Sequence, residues 1–293
     1  MLVFVSTRRH AYTHRDVVAA LGRQRARSTC WEDLLQARRV LQGTYVLTDF
    51  DRLSPEQHRA ACERASRLRT EHGCRVLNDP VRMPTRFGLL RRLHRAGLND
   101  FDAHRVEACP DELRFPVFLR SEVGHERPLS DLLNDPQDVA AALDAALEAG
   151  HPESRLLLIE FRGEPVDGGL YRRIGAYRVG DQIVAAEHVH ERHWCVKYGT
   201  PGGATTALYE EEFETVTANP YAEELMRRFE LAGIDYGRAD FAFAGGRIQL
   251  FEINTNPEVH PPGEHPIPLR RRSEAIVWEN YLSALVAIDA EQT

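Results

Sequence analysis

Lysine is almost missing from this sequence: of 37 basic residues only Lys197 is a lysine, and the rest are arginine. Coding bias accounts for most of that. A lysine that survives it is either a chance remainder or marks a place where a compact ammonium is needed, because arginine and lysine are not interchangeable at close-fitting sites. Long apolar runs are also absent. None approaches a membrane span, and Leu2–Val5 is too short for a signal-peptide core and reads as a first strand. The five cysteines are scattered, with no Cys-x-x-Cys pair. This excludes a disulfide framework and predicts a reducing, cytoplasmic setting. An excess of basic charge is lacking too: the net charge of -7 argues against general nucleic-acid binding but leaves small anionic ligands open.

At 293 residues and 43% hydrophobic, the chain can bury a large core and predicts two or three subdomains. Strands at Leu2–Ser6, Tyr45–Thr48 and Arg75–Leu77 alternate with helices at His14–Arg27 and Pro55–His72. That order implies a parallel, Rossmann-like α/β unit. No Gly-x-Gly-x-x-Gly follows its first strand, so no dinucleotide site is indicated. The Ser6-Thr7-Arg8-Arg9-His10 segment there reads by default as exposed surface. After the Asn78-Asp79-Pro80 and Pro84 punctuation, Thr85 N-caps a helix to about Ala96.

Further strands are expected at Phe115–Arg120 and Leu156–Phe161, with a helix at Pro136–Ala149 between them. Tyr171–Val179 and Gln182–Val189 read as an antiparallel pair, and helices as Asn219/Pro220 to Leu231 and as Ser273–Ile288, capped by Ser273. The domains expected from this are 1–83, 84–163 and 164–293. His188, His190 and His193 match no closed zinc spacing, and Cys195 has no neighbouring base in sequence to activate it.

The most informative segment pairs Gly237–Ala244 with Arg247–Pro257 across Gly245-Gly246. Both flanks alternate like half-buried strands, and Glu252 and Asn254, two apart, share a face. If Asp240 faces them, three hard oxygen donors converge, a set suited to Mg²⁺. Unpartnered, such polar groups in an apolar strand would cost several kcal/mol to bury. Register decides the matter. A two-residue Gly245-Gly246 turn would pair Asp240 with Phe251 and turn it away from Glu252. The metal reading therefore calls for a three-residue Gly245-Gly246-Arg247 loop, another odd loop or a bulge.

The pattern Arg238-x-Asp240 followed by Glu252-x-Asn254-x-x-Pro257 resembles the metal-binding signature of the ATP-grasp superfamily, and the likeness can be followed over roughly residues 76 to 260. It implies an α/β ATP-grasp fold behind an N-terminal Rossmann-like module, a first lobe at 84–163 and a second, bearing the hairpin, at 164–293. It also implies a ligase that activates a carboxylate with ATP as an acylphosphate and joins it to an amine. Asp240, Glu252 and Asn254 would hold Mg²⁺, or Mn²⁺ in its place. Arg86, Arg120, Arg173 and Lys197 would grip phosphates, with Arg86 and Arg120 standing where the family usually has lysine. Ser121–His125 is similar to the flexible glycine loop, Glu160 to the ribose-holding acid and Phe161 to the adenine hinge; Trp194–Lys197 is similar to a nucleotide-contacting strand.

Arg238 and Arg173 would stabilise the acylphosphate and phosphates, with Arg172 on the opposite face. The implied partners are ATP, a small-molecule or peptide carboxylate, an amine and a second copy of the chain, and no membrane. A kinase-like phosphotransferase and a degenerate nucleotide-binding regulatory protein are the competing readings.

Overall fold

The first strand, β1 (Leu2–Ser6), is buried at every position, as expected of a central strand covered on both faces. The computed structural model describes residues 1–110, 112–124 and 127–290, so His125 of the expected glycine loop lies outside the described residues. After a short 3-10 stretch at Arg8–His14 come α1 (Arg15–Leu21), β2 (Ala26–Cys30), α2 (Trp31–Gln36), β3 (Thr44–Leu47), α3 (Pro55–Thr70) and β4 (Arg75–Leu77). The four strands form a parallel sheet in the order β2-β1-β3-β4. Alternate residues of β1 serve two cores: Val3 and Val5 meet Trp31, Ala61 and Leu68, while Leu2 and Phe4 meet Tyr177, Val277 and Tyr281.

The middle of the chain supplies α4 (Arg86–Arg95), β5 (Ala103–Arg105), β6 (Val117–Ser121), α5 (Pro136–Glu148) and β7 (Leu156–Glu160). Its strands make an antiparallel sheet in the order β5-β7-β6. Thr85 caps α4 by accepting from the Gly88 amide, and Asp135 caps α5. Then follow β8 (Tyr171–Val179), β9 (Gln182–Glu191), α6 (Thr206–Ala218), α7 (Ala222–Ala232), β10 (Tyr236–Ala244), β11 (Arg247–Asn254) and α8 (Pro268–Ala290). These strands form an antiparallel sheet in the order β11-β10-β8-β9.

The structure corrects several sequence boundaries. The long helix expected at His14–Arg27 is cut by Gly22, whose φ of 77° no helix accommodates. Beyond it β2 is a polar edge strand (Ala-Arg-Ser-Thr-Cys) with no apolar alternation to announce it. Helix α6 has no counterpart among the expected elements. The last helix starts at Pro268 rather than Ser273; Ser273 is buried within it and its hydroxyl donates to the Leu269 carbonyl. No helix among the described residues is long and apolar enough to cross a membrane.

Candidate functional site

The hairpin closes through a two-residue turn. Ala244 pairs with Arg247, and Gly245 and Gly246 both take positive φ, as the tight primed hairpin turns require. The expected three-residue loop is therefore absent. What restores the register is a bulge: Phe241 pairs with Leu250, but Asp240 pairs with Glu252, so Phe251 is the extra residue. Arg238 then pairs with Asn254. Arg238, Asp240, Glu252 and Asn254 consequently border one cavity of about 370 Å³. Phe251, the bulged residue, borders the cavity and stacks on Phe101 at 5.4 Å.

Both carboxylates are held by arginines. Asp240 accepts from Arg238 Nε at 2.8 Å and Nη2 at 3.1 Å, and from Arg173 Nη1 at 2.7 Å. Its charge pushes the Arg238 pKa further up. Glu252 Oε2 lies 3.1 Å from Arg86 Nη2 and 3.4 Å from Arg120 Nη2. Burial, followed by the charge of Arg86, lowers the Arg120 pKa, and Glu252 opposes that shift. Asn254 Oδ1 accepts from the Asn256 amide at 2.9 Å.

The charge balance around the cavity is lopsided. Arg86, Arg120, Arg127, Arg172, Arg173, Lys197 and Arg238 border it against two carboxylates, Asp240 and Glu252. One of the seven, Arg172, is drawn off by Glu211 at 2.6 Å, but it also borders the cavity, so Arg172 and Arg173 are not cleanly divided between opposite sides. The remaining excess is the electrostatic complement of a polyanion such as a triphosphate. Two carboxylates and an amide oxygen beside it are hard donors of the kind Mg²⁺ takes. Among the described residues, no group of three or more His, Cys, Asp or Glu side chains is arranged to hold a metal; the donor set here depends on Asn254.

Lys197 reaches the cavity from a bent segment, not from the expected strand. Glu191 at the end of β9 fixes that segment by accepting from the Lys197, Tyr198 and Gly199 amides at 3.1, 2.7 and 2.8 Å. Arg173 Nη2 donates to the Lys197 carbonyl at 2.9 Å. The neighbouring Cys195 thiol is pushed up by burial, away from the thiolate.

The other end of the cavity is aromatic. Trp194 packs against Phe118 at 4.9 Å and Phe161 at 5.2 Å, a slot suited to a flat ring. Phe161 borders it as placed, but Glu160 does not. Glu160 is 3% exposed and takes Arg114 Nε at 3.1 Å, Arg114 Nη2 at 2.6 Å and the Asp102 amide at 3.0 Å. Both of its oxygens are thus engaged away from the cavity, not turned toward it as the ribose role would ask. Sequence reasoning also missed Phe101, Phe118 and Arg127 as cavity residues. Each comes from a different segment, so no local spacing could have linked them.

A second cavity of about 280 Å³ lies where all three sheets' segments meet, and Arg86 and Glu252 border both. It combines apolar Phe50, Met83, Leu89 and Ile253 with Asp51 and His58.

No family model and no curated protein sequence matches the chain. Solved structures do. The D-alanine–D-alanine ligase of Bacillus anthracis, solved with ATP, superposes with a TM-score of 0.55 at 12% identity over 100% of both chains. The ATP-grasp ligase PsnB, solved with a phosphomimetic variant of its minimal precursor, Mg and ADP, gives a TM-score of 0.55 at 14% identity, over 98% of this chain and 97% of that one. A RimK-domain ATP-grasp protein of Sphaerobacter thermophilus gives 0.54 at 16% identity over 99% and 100%. The chain therefore has the ATP-grasp fold, an α/β architecture with an N-terminal Rossmann-like sheet.

Proposed function

We propose that this ATP-grasp chain is an ADP-forming ligase that couples a carboxylate to an amine. The observation that carries the reading is the Phe251 bulge, which sets Asp240 opposite Glu252 on a cavity wall otherwise crowded with cations. ATP would lie with its base in the Phe118/Phe161/Trp194 slot and its phosphates among Arg120, Arg173 and Lys197. Asp240, Glu252 and Asn254 would hold Mg²⁺, which when bound neutralises charge on the transferring phosphoryl group.

The chemistry asks for position and countercharge rather than a protein nucleophile. An oxygen of the substrate carboxylate attacks the γ-phosphorus and ADP leaves, giving an acylphosphate. The amine nitrogen then attacks the acyl carbon, inorganic phosphate departs and the amine loses a proton. Arg238, locked bidentately on Asp240, would present its remaining positive edge to the charge that develops on the acylphosphate oxygens. The second cavity, abutting Glu252, is where acid and amine would approach, and its mixed apolar and acidic lining suits an apolar amine. The five cysteines, none of them in a disulfide, accord with a cytoplasmic location.

The test is a screen of carboxylates for ADP release in the presence of hydroxylamine. An activated acyl group would be trapped as a hydroxamate, whereas a phosphotransferase would yield ADP and a stable phosphorylated product. A protein that binds Mg²⁺-ATP but releases no ADP with any acceptor would instead be a regulatory nucleotide binder.

A further inference from the structure

Arg86 stands where a phosphate ligand was expected, yet its guanidinium is already spent. Nη1 donates to the Ser121 and Glu122 carbonyls, both at 3.1 Å, and Nη2 donates to the Gly124 carbonyl at 3.0 Å. Nη2 also lies 3.1 Å from Glu252 Oε2. A guanidinium has four terminal N–H groups; here three carbonyls accept from them, and Glu252 pairs with the group as a counter-ion. The side chain is 8% exposed, so this arrangement is enclosed rather than a surface accident.

We infer that Arg86 is a positioning residue: it ties the 121–124 loop to the metal-side carboxylate Glu252 and forms the partition between the two cavities. Three of its partners are backbone carbonyls, which carry no charge to compete for a phosphate and which only a donor of this breadth can gather. A lysine has three donors on one nitrogen and cannot span carbonyls and carboxylate with the same fork. Arginine at this position is therefore a requirement of the loop's conformation. The contrast with Arg120 is instructive, since that guanidinium meets Glu252 through a long hydrogen bond of 3.4 Å, a carboxylate and not a loop carbonyl. Because the partition is built from the same carboxylate proposed to hold Mg²⁺, the loop and the metal end are mechanically joined. The catalytic meaning of that link rests on the ligase reading, but the link itself does not.

The test uses the full-length protein without nucleotide. Hydrogen–deuterium exchange is followed in peptides spanning 119–124 for the wild type, Arg86→Lys, Arg86→Gln, Glu252→Gln and the Arg86→Lys/Glu252→Gln double variant. Loss of charge-assisted hydrogen bonds should speed exchange about tenfold in both Arg86 variants, with peptides from β1 and β3 unchanged. Glu252→Gln should also speed it, and the double variant should exchange no faster than the faster single, since partners in one network are not additive. Wild-type exchange in Arg86→Lys would overturn the inference. So would a nucleotide-free loop unaffected in both variants while Mg²⁺-ATP affinity falls in Arg86→Gln and returns in Arg86→Lys, which is the pattern of a phosphate ligand. Failure of the ligase reading would show separately, as a wild type that does not bind Mg²⁺-ATP.

Discussion

Glu160 and the pair Asp240/Glu252 are buried or half-buried carboxylates held by arginine, and they face different surroundings. Glu160 is turned out of the cavity onto two donors, Arg114 and the Asp102 amide, with His104 Nε2 3.6 Å away. There it ties the end of β7 to the segments that carry Asp102 and Arg114. Asp240 and Glu252 sit on a cavity wall and are outnumbered by cations there. Ion pairing alone does not distinguish a structural acid from a functional one. The surplus of opposite charge, and whether it faces open space, does.

The sharpest way to break that contrast is to remove both cavity acids. Asp240→Asn with Glu252→Gln should leave a folded protein and eliminate the metal-dependent part of the ATP-induced thermal shift, which at 100 Kd corresponds to about 2.7 kcal/mol. Any ligase turnover should drop by about 10³-fold, on the scale of losing an electrostatic stabiliser. Calorimetry with and without Mg²⁺ checks it; a preserved shift would remove the site.

Glu160→Gln should behave oppositely, costing about 1 kcal/mol of stability, because half-exposed Arg114 can turn to water, with ATP affinity kept. Burial by itself would raise the Glu160 pKa, but nearby His104 and the hydrogen bonds from Arg114 and the Asp102 amide outweigh it and bring it down to about 2. A carboxyl whose folded pKa lies below its unfolded one stabilises fully above about pH 4.5, and that contribution fades as pH falls toward 2. Denaturant midpoints from pH 6 to 2 should accordingly show a steeper acid loss in wild type than in Glu160→Gln.

Lys197→Arg retains the charge and should still weaken ATP use by about tenfold, because a planar fork replaces a compact ammonium beside the Tyr198 ring. Equal ATP affinity in a titration would mark the single lysine as a chance survivor. The smallest effect is expected from Gly246→Ala. At φ 72° with no atom within 4 Å of the added methyl, it meets backbone strain and no clash, so it should cost about 1 kcal/mol and leave the Mg²⁺-ATP shift unchanged. A lost shift would show that the turn, and not only the bulge, sets the register.

Most of the periodic structure was legible. Buried strands such as β1 and β7 and well-capped helices such as α3, with its Ser54/Gln57 capping box, carry their own signals. The polar edge strand β2 and helix α6 do not, because β2 buries little and the buried face of α6 (Leu208, Tyr209, Glu212, Thr215 and Val216) is interrupted by Glu212 and Thr215.

For the site, the chemistry was written locally and the geometry was not. The hairpin's residue types, with carboxylates and an amide interrupting apolar strands, sufficed to single out Asp240, Glu252 and Asn254, because burying such groups without purpose is costly. Sequence could state that the turn and the facing were in conflict, but not how the conflict resolves. A bulge at Phe251 depends on pairing energies along the whole hairpin and on Phe101 receiving the displaced ring. Likewise, whether Arg86 grips a phosphate or a loop, and whether Glu160 faces a ribose or Arg114, turns on groups that arrive from distant parts of the chain, 35 residues away for Ser121 and 46 for Arg114. Side-chain type fixes what a group can bind. Only the packed chain decides which partner reaches it first.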